Sequence, residues 1–385
     1  MRILHVSDCY LPRLGGIEVQ VGDLIRMQRE ADHEVEVATA TPGEPLPGVH
    51  RIVAKLPFDL PVHPFGVGHL LRLMRARHPD VVHVHTGAVS PFAWMGVRAA
   101  VRLGLPVVVT VHSMWDPVTR GVYRGLRLLF EWHRWGLVGT AVSEAAALPI
   151  RAVAGRRVPV HVVSNGLDVS GWRSPDPARQ EPRGGSGGSG GPDGVDGVDG
   201  GAVHVVAVGR LAPRKQPVRL LRLLKEARAQ VPQETPLRAT IVGDGPARAQ
   251  MERYLRANGM SGWVSMPGRY SRERIRELLA SADVFVAPAP RESFGLAALE
   301  ARAAGVPVVA RAQSGVADFV RPGKEGLLGR SFEDLVASVA RLARDRELRE
   351  SIAAHNRETE PVRSSWPAVL QGFEECYEQA RVGRG

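Results

Sequence analysis

The stretch VHVVAVGRLAPRKQPVRLLRLLKEARAQVPQETPLRATIVGDG, residues 203–245, contains the pattern that decides the fold. Short apolar runs rich in valine and isoleucine stand near both of its ends, and such runs are typical of buried strands. Between them, leucines recur at helical spacing among basic residues, which predicts a helix with one face on a sheet. A strand, a helix and a second strand in this order predict a parallel pair joined by a crossover.

The same alternation continues in both directions along the chain. Three further strands are predicted after this stretch: WVSMPG (263–268), ADVFVAP (282–288) and VPVVA (306–310). Five are predicted in the first half: RILHVSD (2–8), EVEVAT (34–39), DVVHVH (80–85), PVVVTVH (106–112) and GTAVS (139–143). The predicted fold class is therefore α/β, with two facing Rossmann-like doubly wound domains and a cleft between them.

A segment rich in Gly, Ser, Pro and Asp separates the two halves. It offers almost no apolar surface to offset the entropy of ordering, so we expect it to be mobile and dispensable. The sequence therefore predicts four parts: an N-terminal domain at 1–172, a flexible linker at 173–202, a C-terminal domain at 203–360, and a helix at 361–385 that ends the second domain or returns to the first.

Composition is that of a globular protein. Hydrophobic residues make up 44% and charged residues 23% of the 385 residues, and no apolar run approaches the roughly 20 residues of a membrane span. The N-terminal MRILHVSDCY lacks the long apolar core of a signal peptide, so we expect a cytoplasmic protein. Cys9 and Cys376 lie near opposite ends, which favours neither a disulfide framework nor a cysteine metal site.

The net charge of +10 permits phosphorylated ligands, nucleic acid and anionic membranes as partners. One segment, TRGVYRGLRLLFEWHRW at 119–135, interleaves arginines with aromatic residues. This pattern is typical of a helix that contacts a membrane surface or an acceptor, and would allow peripheral association with the inner membrane surface. An ordinary packed helix explains the same pattern.

Two basic residues follow the first strand of the C-terminal half. Arg210 comes directly after VHVVAVG, and Lys215 lies five residues further along. Two cations in one loop suit a diphosphate, because they neutralise the charge of a departing phosphate. A solvated basic loop is the alternative explanation.

A second anion-binding feature follows the strand ADVFVAP. A helix is predicted to begin near Ser293, and it would present the free backbone amides of Phe294, Gly295 and Leu296. The glycine would let a ligand approach the backbone closely. Because both features follow strands of one parallel sheet, we expect them at the same edge of that sheet.

Glu300 lies on the apolar side of this predicted helix. At about 100° per residue, it falls about 40° from Leu296 on the helix circumference. An unpaired carboxylate that is removed from water is costly, so we expect Glu300 to have a partner. Ribose hydroxyl groups are suitable donors, as they are for acidic residues in dinucleotide sites.

Three residues of the N-terminal half are also candidates. Gly15 and Gly16 lie between a strand and a helix, where absent side chains allow a ligand near amide donors, although a tight turn explains them equally well. His112 ends a parallel strand at the expected cleft, which favours a functional role. His83 and His85 share this setting less clearly and are interpreted as structural or acceptor-side.

These motifs together resemble a known family. Glu292 and Glu300, separated by seven residues in ESFGLAALE, are similar to the E-x7-E signature of the family-four retaining glycosyltransferases, which have the GT-B fold. The likeness covers nearly the whole chain outside the linker. Further motifs occur in the family's order: YLPRLGGIEVQV, VVVTVHSMW, TAVSE, VSNGLD, VGRLAPRK, VGDGP and SGVADFVRPGKEGLL.

The resemblance implies transfer of a hexose from a nucleotide diphosphate sugar to an acceptor hydroxyl, with retention at the anomeric carbon. The N-terminal domain would hold the acceptor and the C-terminal domain the donor. The implied catalytic residues are His112, Arg210, Lys215 and Glu292. The implied donor-binding residues are Gly16, Arg210, Lys215, Glu292, Ser293, Phe294, Gly295, Leu296 and Glu300. The implied acceptor-side residues are Gly15, Gly16 and His112.

The implied roles within the donor site differ. Arg210 and Lys215 would hold the diphosphate, Glu300 the ribose, and Glu292 the hydroxyl groups of the hexose. Gly16 would line the cleft near the phosphate or the acceptor. His112 would lie beside the reacting sugar.

We expect neither a cofactor nor a metal ion. No Asp-x-Asp pattern stands at the end of a predicted strand, and the aspartates at 193, 196 and 199 belong to the linker. Arg210 and Lys215 would take the place of the metal. Because no separate carboxylate pair suits double displacement, the resemblance implies front-face attack, in which the departing diphosphate helps to deprotonate the acceptor.

Alternative functions remain open at this point. A nucleotide-sugar epimerase of similar fold would need further acids and bases around the sugar, and a phosphorylase-like protein would carry a pyridoxal lysine. A basic nucleic-acid-binding protein would show a recognition helix, stacking aromatics or a zinc motif, and the sequence supports none of them. The acceptor, the hexose and the choice between UDP and GDP do not follow from the sequence.

Overall fold

The computed structural model describes residues 1–13, 15–54, 63–173 and 202–383. Most of the predicted linker lies outside these ranges, and so does the expectation that it is mobile and dispensable. Contacts divide the chain into two compact units. The first unit is Met1–Asp168, Glu292–Leu296 and Val362–Gly385, and the second is Val169–Arg291 and Ala297–Pro361.

A parallel sheet of seven strands forms the centre of the first unit. The strands are β1 (Arg2–Ser7), β2 (Glu34–Thr39), β3 (Val49–Arg51), β4 (Val81–Thr86), β5 (Val107–Val111), β6 (Leu137–Ala141) and β7 (Val160–Val162). Their spatial order is β3-β2-β1-β4-β5-β6-β7. A chain that starts in the middle of the sheet and builds first one side and then the other gives a doubly wound, Rossmann-like sheet.

Helices connect these strands. They are α1 (Gly16–Glu30), α2 (Gly66–Arg77), α3 (Pro91–Arg102), α4 (Pro117–Phe130) and α5 (Glu144–Ala154). The local sequence explains where several of them begin. Asp116 and Ser143 cap α4 and α5, each accepting a hydrogen bond from the backbone amide three residues later. Pro91 and Pro117 occupy first helical positions, where no intrahelical N–H is needed.

The second unit repeats the arrangement with six parallel strands. They are β8 (Val203–Val208), β9 (Leu237–Val242), β10 (Val264–Gly268), β11 (Val284–Ala287), β12 (Val308–Arg311) and β13 (Gly326–Gly329), in the order β10-β9-β8-β11-β12-β13. The helices that follow are α6 (Pro217–Ala229), α7 (Arg248–Ala257), α8 (Arg272–Ala280), α9 (Leu296–Ala303), α10 (Phe332–Arg344) and α11 (Arg346–Glu358). The leucines that predict α6 are buried in the core of this unit.

The C-terminal helix, α12 (Trp366–Val382), packs in the first unit. Its Trp366, Phe373 and Tyr377 are buried together with Val108 of β5. The VSNGLD motif makes room for this packing, because a Cβ on Gly166 would lie 2.5 Å from the Trp366 ring. The apolar face of the predicted final helix is therefore used to cover the first sheet.

All ten predicted strands are present, and the predicted α/β class with two Rossmann-like sheets is confirmed. Three strands were not predicted. β3 and β7 are three-residue strands at the two edges of the first sheet, too short for a period to show. β13 begins and ends with glycine, which is depleted in strands. Gly326 is needed there because a Cβ would lie 1.9 Å from the Val308 oxygen.

The ends of the parallel strands position the predicted functional residues. His112 directly follows β5, and Arg210 follows β8 after one intervening residue. Glu300 lies on α9, which follows β11. In the part of the chain that the structure describes, no helix has the length and apolar character needed to cross a bilayer.

Candidate active site

The basic loop after β8 is held by close backbone contact with the VGDGP motif. Gly243 has φ of 140°, and a Cβ there would lie 1.9 Å from the Gly209 oxygen. Only glycine permits this approach, so the motif fixes the beginning of the basic loop. Arg210 is exposed, and Lys215 is half-buried at the end of a short 3-10 turn.

Helix α9 begins at Leu296, three residues later than the predicted start near Ser293. The reason is Gly295, whose φ of 96° lies in the left-handed region and interrupts a right-handed helix. Ser293 and Phe294 form the turn before the helix, and the Phe294 side chain is buried. The helix amides available to an anion therefore begin at Leu296 rather than at Phe294.

The turn before α9, Glu292–Leu296, belongs to the first unit. The Ser143 hydroxyl donates a hydrogen bond to the Ser293 carbonyl oxygen at 2.5 Å. The same hydroxyl accepts from the Ala146 amide at 3.1 Å. The serine of the TAVSE motif thus caps α5 and holds the turn that contains Glu292.

The beginning of α1 contains the two predicted glycines. Gly15 is the N-cap residue of α1, and it makes no side-chain capping hydrogen bond to this helix. A Cβ on Gly15 would meet the Glu18 carboxylate, whereas a Cβ on Gly16 would find only Leu296 Cδ1, at 3.8 Å, among the described residues. Packing of the chain itself therefore leaves space at Gly16, which is compatible with a glycine retained for a ligand.

Glu300 is largely removed from water, with 14% of its side chain exposed. The Nε of Arg272 lies 4.0 Å from its Oε1, at the outer limit for an ion pair, and the arginine is itself 42% exposed. Such a long, partly solvated pair contributes little to stability. An arginine of the same unit is therefore near the carboxylate without forming a tight contact with it.

His112 is held at the end of β5 by its backbone and by its ring. Its amide donates to the Thr86 carbonyl oxygen at 2.8 Å. Its Nε2 lies 3.0 Å from Nδ1 of His85, whose Nε2 lies 2.8 Å from Nδ1 of His5. The candidate catalytic histidine is thus the end of a row of imidazoles that crosses β4 to β1.

His83 of β4 lies beside this row, and the ring nitrogens of His5, His83 and His85 are close enough together to suggest a metal site. Every one of the six ring nitrogens already has a hydrogen-bond partner in the protein. The donor set is therefore accounted for by a hydrogen-bond network, which favours a polar cluster over a metal-binding role.

Burial keeps the imidazoles uncharged. It lowers the pKa of His5 and that of His112 to about 4. Burial, together with the neighbouring histidines, lowers the pKa of His83 and that of His85 well below the ordinary value. At neutral pH all four rings are neutral, so each has one N–H donor and one nitrogen acceptor.

The structure distributes the predicted residues over the two units. Arg210, Lys215 and Glu300 belong to the second unit, while Gly15, Gly16, His112 and the segment Glu292–Leu296 group with the first. His5 and His85 were not among the predicted catalytic residues. The alternating histidines of β4 were a visible signal, but their link to His112 needs the order of the strands.

Two family models match the chain. Residues 14–170 match the model described as Glycosyltransferase Family 4, and residues 196–359 match the model described as Glycosyl transferases group 1. The first match spans β2 to β7 of the first sheet, and the second spans all six strands of the second sheet. The chain therefore carries both domains of a GT-B glycosyltransferase and belongs to that class.

Relatives of known activity align over the full length. A GDP-mannose-dependent alpha-mannosyltransferase of Mycobacterium tuberculosis is 29% identical, over 100% of this chain and 98% of the relative. A D-inositol 3-phosphate glycosyltransferase of Salinispora arenicola is 28% identical, over 99% of this chain and 92% of the relative. The resemblance to glycosyltransferases is confirmed at this level.

Solved structures agree on the fold. Anabaena Alr3699/HepE in complex with UDP has a TM-score of 0.75 at 20% identity, covering 97% of this chain and 99% of that chain. Sucrose-phosphate synthase from Thermosynechococcus elongatus has a TM-score of 0.71 at 18% identity, covering 98% of each chain.

Proposed function

We propose that this glycosyltransferase is a retaining hexosyltransferase that moves a hexose from a nucleotide diphosphate sugar to an acceptor hydroxyl. The observation that carries the proposal is the position of Arg210, Lys215 and Glu300. They follow β8 and β11, which are paired in parallel in the second sheet. Two cations suit a diphosphate and an acid suits a ribose, so one edge of the sheet offers what a nucleotide diphosphate needs.

The remaining residues have distinct roles in this proposal. Glu292 accepts hydrogen bonds from hydroxyl groups of the hexose, and the backbone from Ser293 to Leu296 lies along the donor. His112 lies beside the reacting sugar. Arg210 and Lys215 stabilise the negative charge that develops on the departing diphosphate, and no metal ion is needed for that charge. The diphosphate oxygen helps to remove the proton from the acceptor hydroxyl on the same face.

The names of the relatives support a nucleotide sugar as the donor. GDP-mannose is named for the mannosyltransferase relative, and UDP is named for the structural neighbour Alr3699/HepE. Another relative is named for an inositol phosphate acceptor. The proposal therefore covers a hexose of the glucose, mannose or N-acetylglucosamine type and an acceptor that is a sugar, a glycolipid or a polyol.

A panel of UDP- and GDP-hexoses, tested with and without a chelator, checks the proposal. We expect one donor to be transferred, or hydrolysed slowly without acceptor, at the same rate with chelator present, because Arg210 and Lys215 supply the positive charge. NMR of the product should show the anomeric configuration of the donor sugar.

The same panel can contradict metal independence, retention and transfer separately. Loss of activity with chelator and recovery with magnesium would contradict metal independence. A product of opposite anomeric configuration would contradict retention. Conversion of the donor to its epimer, without transfer, would identify an epimerase instead.

We also propose that α4 contacts an anionic membrane surface, where a glycolipid acceptor would be found. Two aromatic residues of 119–135 do not contribute to this surface, since Tyr123 and Trp132 are buried, and Tyr123 stacks on Trp115. The exposed residues are Val118, Val122, Leu128, Leu129 and Phe130, which are between 45% and 83% exposed. Val118, Val122 and Leu129 are spaced for one helix face, and the exposed Arg124 lies on the same helix.

Sedimentation with vesicles tests this contact. We expect the protein to bind vesicles with anionic lipid, and the variant Val122→Ser/Leu129→Ser to bind at least about tenfold more weakly, because each apolar side chain contributes roughly 1.5–3 kcal/mol when buried. Leu148→Ser is the matched control, since Leu148 of α5 is equally solvent-facing at 60% exposure. Equal losses for both variants, or no binding by the unaltered protein, would contradict the proposal.

A further inference from the structure

A continuous row of hydrogen bonds connects Gln28 of α1 to the ring of His112. Oε1 of Gln28 lies 2.7 Å from Nε2 of His5. The row continues from Nδ1 of His5 to Nε2 of His85 at 2.8 Å, and from Nδ1 of His85 to Nε2 of His112 at 3.0 Å. At both contacts between rings, Nδ1 of one histidine faces Nε2 of the next.

The amide of Gln28 gives this row a direction. An amide oxygen only accepts, so Nε2 of His5 carries a proton and its Nδ1 does not. Nε2 of His85 must then donate to His5, which leaves Nδ1 of His85 as an acceptor. Nε2 of His112 must therefore donate to His85. One oriented amide thus specifies the tautomer of three neutral imidazoles.

A second branch starts from the other end of the amide. Nε2 of Gln28 donates to the Tyr377 hydroxyl at 2.8 Å, and that hydroxyl lies 2.8 Å from Nδ1 of His83. Nε2 of His83 lies 2.6 Å from Oγ1 of Thr110, which in turn lies 2.6 Å from Oγ1 of Thr140. This branch ends away from His112, but it satisfies the other end of the amide.

Burial makes the arrangement strict. His5, His83 and His85 are at most 2% exposed, and Gln28 is 1% exposed. A buried donor or acceptor without a partner loses its hydration without compensation. All the hydrogen bonds of the row therefore have to run in one direction, because a change of direction within the row would leave two donors or two acceptors facing each other. The low pKa values of the rings keep a third, protonated form out of the row at neutral pH.

The structure leaves one nitrogen at the end of the row for a ligand. Among the described residues, Nδ1 of His112 has no hydrogen-bond partner, and His112 is half-buried where its three partners are buried. In the tautomer that the row specifies, this nitrogen has a lone pair. It can accept a hydrogen bond from a hydroxyl group but cannot donate one.

We propose that Gln28, His5 and His85 are positioning residues that hold His112 as the Nε2–H tautomer, with Nδ1 turned into an acceptor for a hydroxyl of the bound sugar. The inference rests on the proposed function, since it assigns the sugar to His112. A protein that fixes the acceptor nitrogen in advance avoids ordering it during the reaction, which is how oriented imidazoles act in other enzymes.

The tautomer is measured directly by NMR of the full chain labelled with ¹⁵N-histidine. The His112→Asn variant identifies the His112 signals. In the unaltered protein we expect a single Nε2–H tautomer for His112, and in Gln28→Leu a mixture of both tautomers. A mixture or the Nδ1–H tautomer in the unaltered protein would overturn the inference, and this result does not depend on whether any variant folds.

Kinetics give the second measurement. We expect Gln28→Leu to lower kcat in proportion to the fraction of His112 that NMR shows as the Nδ1–H tautomer, about tenfold where that tautomer reaches about nine-tenths, while the donor KM changes by less than about threefold. The control is Thr140→Val, which removes a buried hydroxyl from the far end of the second branch. It should cost similar stability but keep the His112 tautomer, and kcat within about threefold.

The two proposals fail in different ways. A single Nε2–H tautomer that Gln28→Leu disturbs, in a protein without transferase activity, supports the hydrogen-bond row and contradicts the proposed function. Transferase activity that Gln28→Leu and Thr140→Val change equally, with an unchanged His112 tautomer, supports the function and overturns the inference.

Discussion

Replacing Lys215 with alanine is expected to lower the turnover number of the transferase by at least about tenfold, because one charged contact to the departing diphosphate would be lost. The effect belongs to kcat more than to the donor KM, since the charge on the leaving group is greatest in the transition state. Initial rates over a range of donor concentrations, compared with melting curves of both proteins, measure it.

Arg214→Ala is the matched control for this prediction. Arg214 is exposed and lies in the same 3-10 turn as Lys215, so its removal changes the net charge and the local sequence equally. We expect its kcat to stay within about twofold of the unaltered protein, because an exposed charge is largely screened. Equal losses for the two variants would indicate a general electrostatic effect, and normal kinetics for Lys215→Ala would remove Lys215 from the site.

The sheets could be predicted because their strands are buried on both faces. A strand such as β5 is an apolar run with a single threonine, and it is visible in the sequence without knowledge of its neighbours. The edge strand β7 has only three residues, and its middle residue is exposed, so its pattern is not distinct from that of a loop. The predicted beginning of α9 was three residues too early because Gly295 adopts a left-handed conformation. Glycine adopts left-handed and right-handed conformations about equally readily, so the sequence does not show which of them it takes.

Site residues that depend on the strand order could not be predicted in the same way. Arg210 was visible because it comes directly after a strand in the chain. The contact between His5 and His85 joins residues 80 positions apart, and it exists because β1 and β4 are neighbours with His5 opposite His83. The alternation of histidines in β4 predicts that they share a face, but not which residue lies across from them.

In the segment 119–135, the sequence pattern did not predict which face of the helix is buried. Its aromatic residues suggested a surface contact, but Tyr123 lies on the inner side of α4 and accepts a hydrogen bond from Trp94. The aliphatic residues of α4 face solvent instead. Helical period predicts two faces, and the packing partners decide which of them is buried.

The substitution Glu300→Gln is expected to weaken nucleotide binding between about tenfold and a hundredfold. The glutamine keeps the shape but loses charge-assisted hydrogen bonds from ribose hydroxyl groups, which contribute roughly 1.5–3 kcal/mol. The melting temperature without ligand should hold or rise, because neutralising a largely buried carboxylate relieves desolvation, and an ion pair as long as the 4.0 Å to Arg272 contributes little. Calorimetric titration of UDP and of GDP, beside melting curves, measures both quantities.

Arg272→Gln separates the ribose role from a structural one. If the carboxylate serves mainly to hold Arg272, the two variants should melt earlier by similar amounts and bind nucleotide as the unaltered protein does. If it serves the ribose, Arg272→Gln should leave nucleotide affinity nearly unchanged, and it should cost little stability because the arginine is 42% exposed. The combined variant then decides between them. For a ribose contact, its nucleotide affinity equals that of Glu300→Gln alone, whereas a structural pair predicts that the second substitution adds little to the stability already lost by the first.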